Sequence, residues 1–149
     1  MKLEFSGAPE IAASREKVWK HLMDPNFVAA SAPGVESVEA VDPTHFNVVS
    51  GLGVGAVKVR FKLDVELSDV VEPERLTMAA RGKAPGSAVD VISMVRLSDA
   101  GNGRTRLDWS ATSSISGTVA SMGARLLESV ARRLTEDFWS DFARRVGAG

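Results

Sequence analysis

The chain contains no cysteine among its 149 residues. That excludes disulfides, thiol catalysis and thiolate-held metals. Histidine is nearly as scarce. Only His21 and His45 offer an imidazole, and neither HxxxH nor HxH spacing occurs, so no protein-bound metal is expected. A surplus of one charge is also lacking. With 18 Lys and Arg against 19 Asp and Glu the net charge is −1, which gives no electrostatic case for a nucleic-acid partner. No N-terminal apolar run resembles a signal peptide, and no run reaches transmembrane length. These absences predict a soluble, cytoplasmic protein. What is present has globular composition, with 44% hydrophobic and 25% charged residues. Residues 1–149 read as one domain, without repeats, linkers or low-complexity stretches.

The strongest pattern lies at the C-terminal end. Val119, Met122, Leu126, Val130, Leu134, Phe138, Phe142 and Val146 form an apolar stripe at helical spacing. No proline interrupts it. Ser116 or Thr118 is placed to cap its start, and Arg144 and Arg145 complement the dipole at its end. A helix from Ser116-Gly117-Thr118 through Val146 would be roughly 40 Å long at 1.5 Å per residue. From Met122 onward the stripe steps by four, so it rotates by about 40° per step and its two halves face different surfaces. Gly123 falls inside this expected helix, where glycine is unfavourable relative to alanine. Either tight packing on a sheet or room for a ligand accounts for it.

The rest of the chain alternates at the strand period. Lys2–Ser6 reads as a first strand. Ser14 caps a helix with Val18, Trp19, Leu22 and Met23 on its buried face, and Asp24-Pro25 stops it. Asn26 is expected to cap a second short helix over Phe27–Ser31. Strands then follow over Val35–Val41, Thr44–Leu52, Val57–Leu67, Leu76–Arg81, Ala88–Leu97 and Arg104–Ile115, with Gly51, Gly53 and Gly55 permitting a bend or bulge. From Val57 to Leu67 the alternation is unbroken, with Lys58, Arg60, Lys62, Asp64 and Glu66 on the wet face. The order predicts an α+β fold in which a curved antiparallel sheet of about seven strands wraps a long C-terminal helix, with two short helices after strand 1. The long helix is the element able to cover the dry face, and a curved sheet around a helix leaves a cavity of the kind that binds small ligands.

Catalytic groups are thin. His21 reads as a surface residue and His45 as a turn-side one. Ser110, Thr112, Ser113 and Ser114 lack a paired His and carboxylate. Inward-facing Ser50, Ser93 and Ser113 either orient a ligand's polar head or bond backbone and water. Arg125, Arg132 and Arg133 form a basic helix flank, which is either a solvated face or a docking patch for a partner or membrane surface. Trp19, Trp109 and Trp139 read as core anchors.

Several segments together resemble one known family. They are Phe5-Ser-Gly7, Val18-Trp19, Asp24-Pro25, Ala32-Pro33-Gly34 and Gly55-Ala-Val57-Lys58. Phe61-Lys-Leu-Asp-Val65-Glu66-Leu67, Thr105-Arg-Leu107 and Ser116-Gly-Thr-Val-Ala-Ser-Met-Gly123-Ala-Arg125 continue the match. In this order they resemble the carbon monoxide dehydrogenase CoxG family, within the START-like superfamily of helix-grip folds. The loop Gly82-Lys-Ala-Pro-Gly86 is poorer in glycine than is usual there. Many members also carry a tail after the long helix that is thought to reach the membrane, and no such tail is among these residues.

The resemblance implies a non-enzymatic accessory protein of a molybdenum hydroxylase of the aerobic CO dehydrogenase type. It implies a link to the enzyme's membrane attachment or electron output, with peripheral contact at the inner face of the membrane. The residues supply a plausible container: Val57, Val59, Phe61 and Leu63 from one strand, Leu107 and Trp109 from another, Phe27 at the mouth, Met122, Leu126 and Val130 as lid, and Gly123 giving room. An apolar ligand such as a quinone or lipid suits these side chains better than a nucleotide or sugar, with no covalent or metal cofactor. Arg125, Arg132 and Arg133 are the expected docking patch. A recruitment module without ligand and a small enzyme such as a cyclase or hydrolase remain as alternatives.

Overall fold

The computed structural model describes residues 1–54 and 56–148; the bend expected at Gly55 lies outside the described residues. The elements run β1 (Lys2–Gly7), β2 (Glu10–Ile11), α1 (Arg15–Leu22), α2 (Pro25–Ser31), β3 (Val35–Asp42) and β4 (His45–Val54). They continue with β5 (Val57–Val71), β6 (Arg75–Ala84), β7 (Ser87–Gly101), β8 (Arg104–Gly117), a short 3-10 helix (Val119–Met122) and α3 (Ala124–Ala148).

Local chemistry sets both short helices. The Ser14 hydroxyl accepts a hydrogen bond from the Lys17 amide at 3.3 Å, and Glu16 occupies the first turn of α1. The cap of α2 is Asp24 rather than the expected Asn26. Its carboxylate accepts from the amides of Asn26 and Phe27 at 3.1 and 3.2 Å, and Pro25 takes the first helical position, where its missing N–H costs nothing. One residue pair therefore stops α1 and starts α2.

The sheet is antiparallel throughout, in the order β1-β8-β7-β6-β5-β4-β3, with β2 pairing β8 beyond the end of β1. The strands outrun the sequence alternation. β5 reaches Val71 because its pairing with β6 continues past the end of β4, and β7 reaches Gly101 because its pairing with β8 continues past the end of β6. Pairing of β4 with β5 passes Gly51 and Gly53 without a bulge, whereas β3 carries two register shifts.

The start of the long helix differs from expectation. Gly117 ends β8 with φ +86°, and a Cβ there would lie 2.0 Å from the Gly86 carbonyl oxygen. That close crossing of the β6–β7 turn excludes any side chain. The Thr118 amide donates to the same carbonyl at 2.8 Å, and the Val119 amide to the Ser87 hydroxyl at 3.0 Å. Gly123, at φ +106°, then separates the 3-10 helix from α3. It is a hinge between two helical pieces, not a residue inside one. Neither Ser116 nor Thr118 caps α3.

This break changes which side chains are buried. The helix restarts after Gly123, so its phase is not that of an uninterrupted stripe. Leu127 is buried and Leu126 is 39% exposed, the reverse of the sequence reading. Towards the C-terminus the expected residues do go inside, with Phe142 and Val146 fully buried and Trp139 beside them. Arg145 also turns inward. It donates to the Phe27 carbonyl at 2.9 Å and to the Ser31 hydroxyl at 2.6 Å, with its guanidinium 4.0 Å from the Phe27 ring centroid. These contacts tie α2 to α3.

Candidate functional site

Antiparallel register lays the inner-face side chains out in rows across the strands. One row runs Leu76–Val95–Trp109–Gly7, and the next Leu67–Met78–Ser93–Ala111–Phe5. Then comes Phe46–Val65–Ala80–Val91–Ser113–Leu3, and beyond it Val48–Leu63–Gly82–Val89–Ile115. The first two rows belong to an apolar cluster with α1 and the C-terminal half of α3, including Trp19, Trp139 and Phe142. At the opposite end Phe61, Val119 and Leu127 form a second cluster with Val59, Leu63, Val89 and Met122.

The row through Val65 and Val91 belongs to neither cluster. Val65, Val91 and Ser113 stay half-exposed although they face inward, as do Val48 opposite and Val130 and Leu134 of α3. Small side chains pave the middle of the sheet here: Ala80, Ser93, Ala111 and Ser113. Leu3, Phe46 and Ala80 of the same row are buried, so solvent reaches the row at its valines and Ser113 only. The interior is therefore two packed ends with a seam between them that belongs to neither cluster. Its closest backbone approaches bring α3 to α1, α2, β2 and β4, at the margins of the sheet rather than over its middle strands.

Near this seam a hollow of about 530 Å³ opens between edge strand β1, its neighbour β8 and α3. Phe5, Trp109 and Ala111 line it from the sheet, and Arg132, Thr135 and Glu136 from the helix. Arg132 lies 5.2 Å from the Phe5 ring centroid and donates to Glu128 at 2.9 Å. Trp109 stacks on Trp139 with centroids 5.7 Å apart. Ser50 and Ser93 are buried on the inner face. The Ser87 hydroxyl is taken by Val119 and that of Ser31 by Arg145, whereas those of Ser50 and Ser93 have no protein partner among the described residues.

The expected container is thus divided. Val59, Phe61, Leu63 and Met122 come together in one cluster, and Val130 borders the seam. Leu107 and Trp109 belong to the other cluster, where Leu107 is wholly buried and has no free surface to offer. Phe27 is not at a mouth. It packs edge-on against Phe142 and under Arg145 at the α2–α3 junction. Val57 is 47% exposed, and Leu126 faces out, so neither lines an interior. An added Cβ at Gly123 meets no atom within 4 Å, so Gly123 does not face the sheet closely. Phe5, Ala111 and Thr135 were not among the expected lining residues. The alternation of β1 and β8 places the first two on the inner face, but only pairing of β1 with β8 brings them beside α3.

The expected docking arginines also divide. Arg132 is tied to Glu128 and Phe5 at the rim of the hollow, while Arg125 and Arg133 are exposed and have no ion-pair partner among the described residues. Among the described residues no group of three or more His, Asp or Glu side chains is arranged to hold a metal ion. No helix among them is long and apolar enough to cross a membrane.

His45 sits in a charged turn. Its Nδ1 lies 2.9 Å from Asp42 Oδ1 and its Nε2 lies 3.8 Å from Glu66 Oε2. The hydrogen bond to Asp42 raises the imidazole above its ordinary 6.5 and holds Asp42 below its ordinary 3.8. A raised folded-state value makes the His45 contribution complete below the unfolded value and lost as pH rises through the folded one. Wild type should therefore exceed His45→Gln in urea midpoint at about pH 6 by more than at about pH 8.5. A gap independent of pH would show that the ion pairs do not hold the turn.

An antiparallel sheet closed by a long C-terminal helix, with two short helices inserted after the first strand, defines the START-like helix-grip class. A conserved protein from Geobacillus kaustophilus is similar at 25% identity and TM-score 0.88, over 97% of this chain and 95% of that one. A START superfamily protein from Mycobacterium smegmatis (13% identity, TM-score 0.71, 96% of each chain) shares the fold. So does the ZhuI aromatase/cyclase from Streptomyces sp. R1128, at 17% identity and TM-score 0.70, over 98% and 94%. Among curated proteins none matches by sequence. Residues 7–147 match the family model of CoxG, a subunit of carbon monoxide dehydrogenase, and the chain belongs to that family.

Proposed function

We propose that this protein is a non-enzymatic accessory protein of a CO dehydrogenase-type molybdenum hydroxylase. It takes an apolar ligand, a quinone or similar lipid, between α3 and the sheet, and links the enzyme to the membrane or to its electron acceptor. The observation that carries the ligand part is the seam of half-exposed inner-face side chains, Val48, Val65, Val91, Val130 and Leu134, between two packed clusters. Burying a long apolar molecule there gains roughly 25 cal/mol per Å² of apolar area, less the cost of ordering it. The Ser93 hydroxyl is placed to meet one polar group of such a molecule. Family membership supports the partner. A hydroxylase that oxidises its substrate must pass electrons on, and membrane quinone is a ready acceptor.

The likeness to ZhuI suggests an enzyme, but the geometry favours a container. General acid–base chemistry calls for a titratable group with a tuned pKa at the ligand. The side chains bordering the seam, Val48, Val65, Val91, Ser113, Val130 and Leu134, include no titratable group of that kind. Protein purified from its native host should release an isoprenoid quinone or lipid into organic solvent at near-stoichiometric amount, as read by mass spectrometry. Recovery of neither would overturn the carrier reading and leave a recruitment module.

A further inference from the structure

The hollow between β1 and α3 has a floor of Phe5 and Ala111, both half-buried. They form the edge end of the inner row that continues through Ser93 and Met78 to Leu67. β1 is an edge strand, so here the inner face borders solvent. Strands lie about 4.8 Å apart, which sets Ser93 about 10 Å in from that edge.

The charges around this hollow are arranged against an anion. Its titratable lining side chains are Glu4, Arg132 and Glu136. Glu4 is paired with Lys2 at 3.5 Å. Arg132 is bonded to Glu128 at 2.9 Å, with its guanidinium over the Phe5 ring. Glu136 has no ion-pair partner among the described residues. Glu128, Arg132 and Glu136 are spaced by four and share one face of α3, so the lining cation stands between two carboxylates. Arg125 and Arg133, the latter one turn before Glu136, are exposed but do not line the hollow.

The inner face beyond supplies no cation either. The rows from Leu67 to Phe5 and from Phe46 to Leu3 contain no charged residue. Arg145 does turn inward, but at the α2–α3 junction, where the Phe27 carbonyl and the Ser31 hydroxyl hold it. A carboxylate or phosphate drawn under α3 would lose its water without gaining a partner, and an unpaired buried charge costs far more than a buried carbonyl. The Ser93 hydroxyl can donate to an uncharged oxygen.

We infer that the hollow between β1 and α3 is the entrance to the seam, and that it admits long apolar molecules with an uncharged, hydrogen-bond-accepting head while excluding those that carry a carboxylate or phosphate. Glu136 repels an anion there, and Glu128 keeps Arg132 from attracting one. The inference rests on the reading that an apolar ligand lies between α3 and the sheet.

The test compares two probes of equal chain length, dodecanol and dodecanoate, beside decylubiquinone. Binding is measured by isothermal titration calorimetry at about pH 7.5, where a carboxylic acid is ionised. Wild type should bind decylubiquinone and dodecanol, and dodecanoate at least about tenfold more weakly than dodecanol. The double variant Glu128→Gln/Glu136→Gln frees Arg132 and removes the carboxylate at the entrance. It should narrow the gap between dodecanoate and dodecanol at least about fivefold, and less at high salt. Adding Arg132→Gln should restore the gap. All three side chains are exposed, so these changes leave the core intact. If wild type binds dodecanoate as tightly as dodecanol, the selection is wrong while the container reading stands. If wild type discriminates but the double variant keeps the full gap, the hollow is not the entrance and the assignment falls. If wild type binds none of the three probes, the container reading fails and this assignment with it.

Discussion

Phe142→Ala is expected to destabilise the protein by about 3–5 kcal/mol and to lower Tm by roughly 10 °C. Phe142 has no exposed surface. Its ring meets Phe27 at 5.8 Å, Trp139 at 5.7 Å and Phe138 at 6.1 Å between centroids. Removing it leaves a cavity bounded by rings from two helices, and flat side chains on regular elements collapse poorly into such a space. Urea and thermal unfolding measure the loss. A change below about 1 kcal/mol would mean that the rings do not anchor α3. A companion pair tests the phase break at Gly123. Leu127→Ala should cost about 2–4 kcal/mol, and Leu126→Ala no more than about 0.5 kcal/mol. The opposite order would mean that the helix keeps the phase of an uninterrupted stripe.

Ser93→Phe is expected to weaken binding of decylubiquinone at least tenfold, about 1.4 kcal/mol, while the circular dichroism spectrum stays folded. Ser93 faces inward between Met78 and Ala111 on an inner strand. Its row borders the seam, so a phenyl ring there is expected to reach into the room a ligand would need. Binding is followed by quenching of tryptophan fluorescence, because Trp109 lines the adjoining hollow and stacks on Trp139. Ala79→Phe, on the outer face opposite Ile92, serves as the control and should bind as wild type. Should Ser93→Phe fail to fold, Ala111→Leu adds a smaller obstruction to the same row. A folded inner-face variant with unchanged affinity would place the ligand elsewhere.

The two experiments ask different things of α3. Its C-terminal half is packed and should resist change. Its middle lies over the seam and should tolerate added volume until a ligand competes for the space. This division follows from where the helix meets the sheet. The buried aromatic residues lie towards its C-terminus, Leu127 near its start, and half-buried Val130 and Leu134 between them.

Much of this was legible in the chain. Period-two alternation is a local property, so Val59 to Leu67 displayed its dry and wet faces without any partner strand, while Val57 at the strand's start is exposed. Caps are local as well, and Ser14 and Asp24-Pro25 bounded the short helices within a residue or two. The lack of cysteine and the two isolated histidines limited the chemistry before any fold was known. The apolar C-terminal stripe identified the long helix, and Phe138, Phe142 and Val146 pointed as expected.

Other features depended on contacts between distant residues. Gly123 read as a flaw inside a helix because spacing carries no information about φ. The crossing of Gly117 over the Gly86 carbonyl holds β8 to Gly117 and so delays the helix, and the restart after Gly123 exchanged Leu126 for Leu127. Phe5 and Ala111 became neighbours of Thr135 only once β1 paired with β8, at a separation of more than a hundred residues. Alternation showed which side chains face inward. Whether space remains in front of them depended on the volumes of small residues brought together from three strands and on where one helix rests, and close packing over such distances leaves no local mark on the sequence.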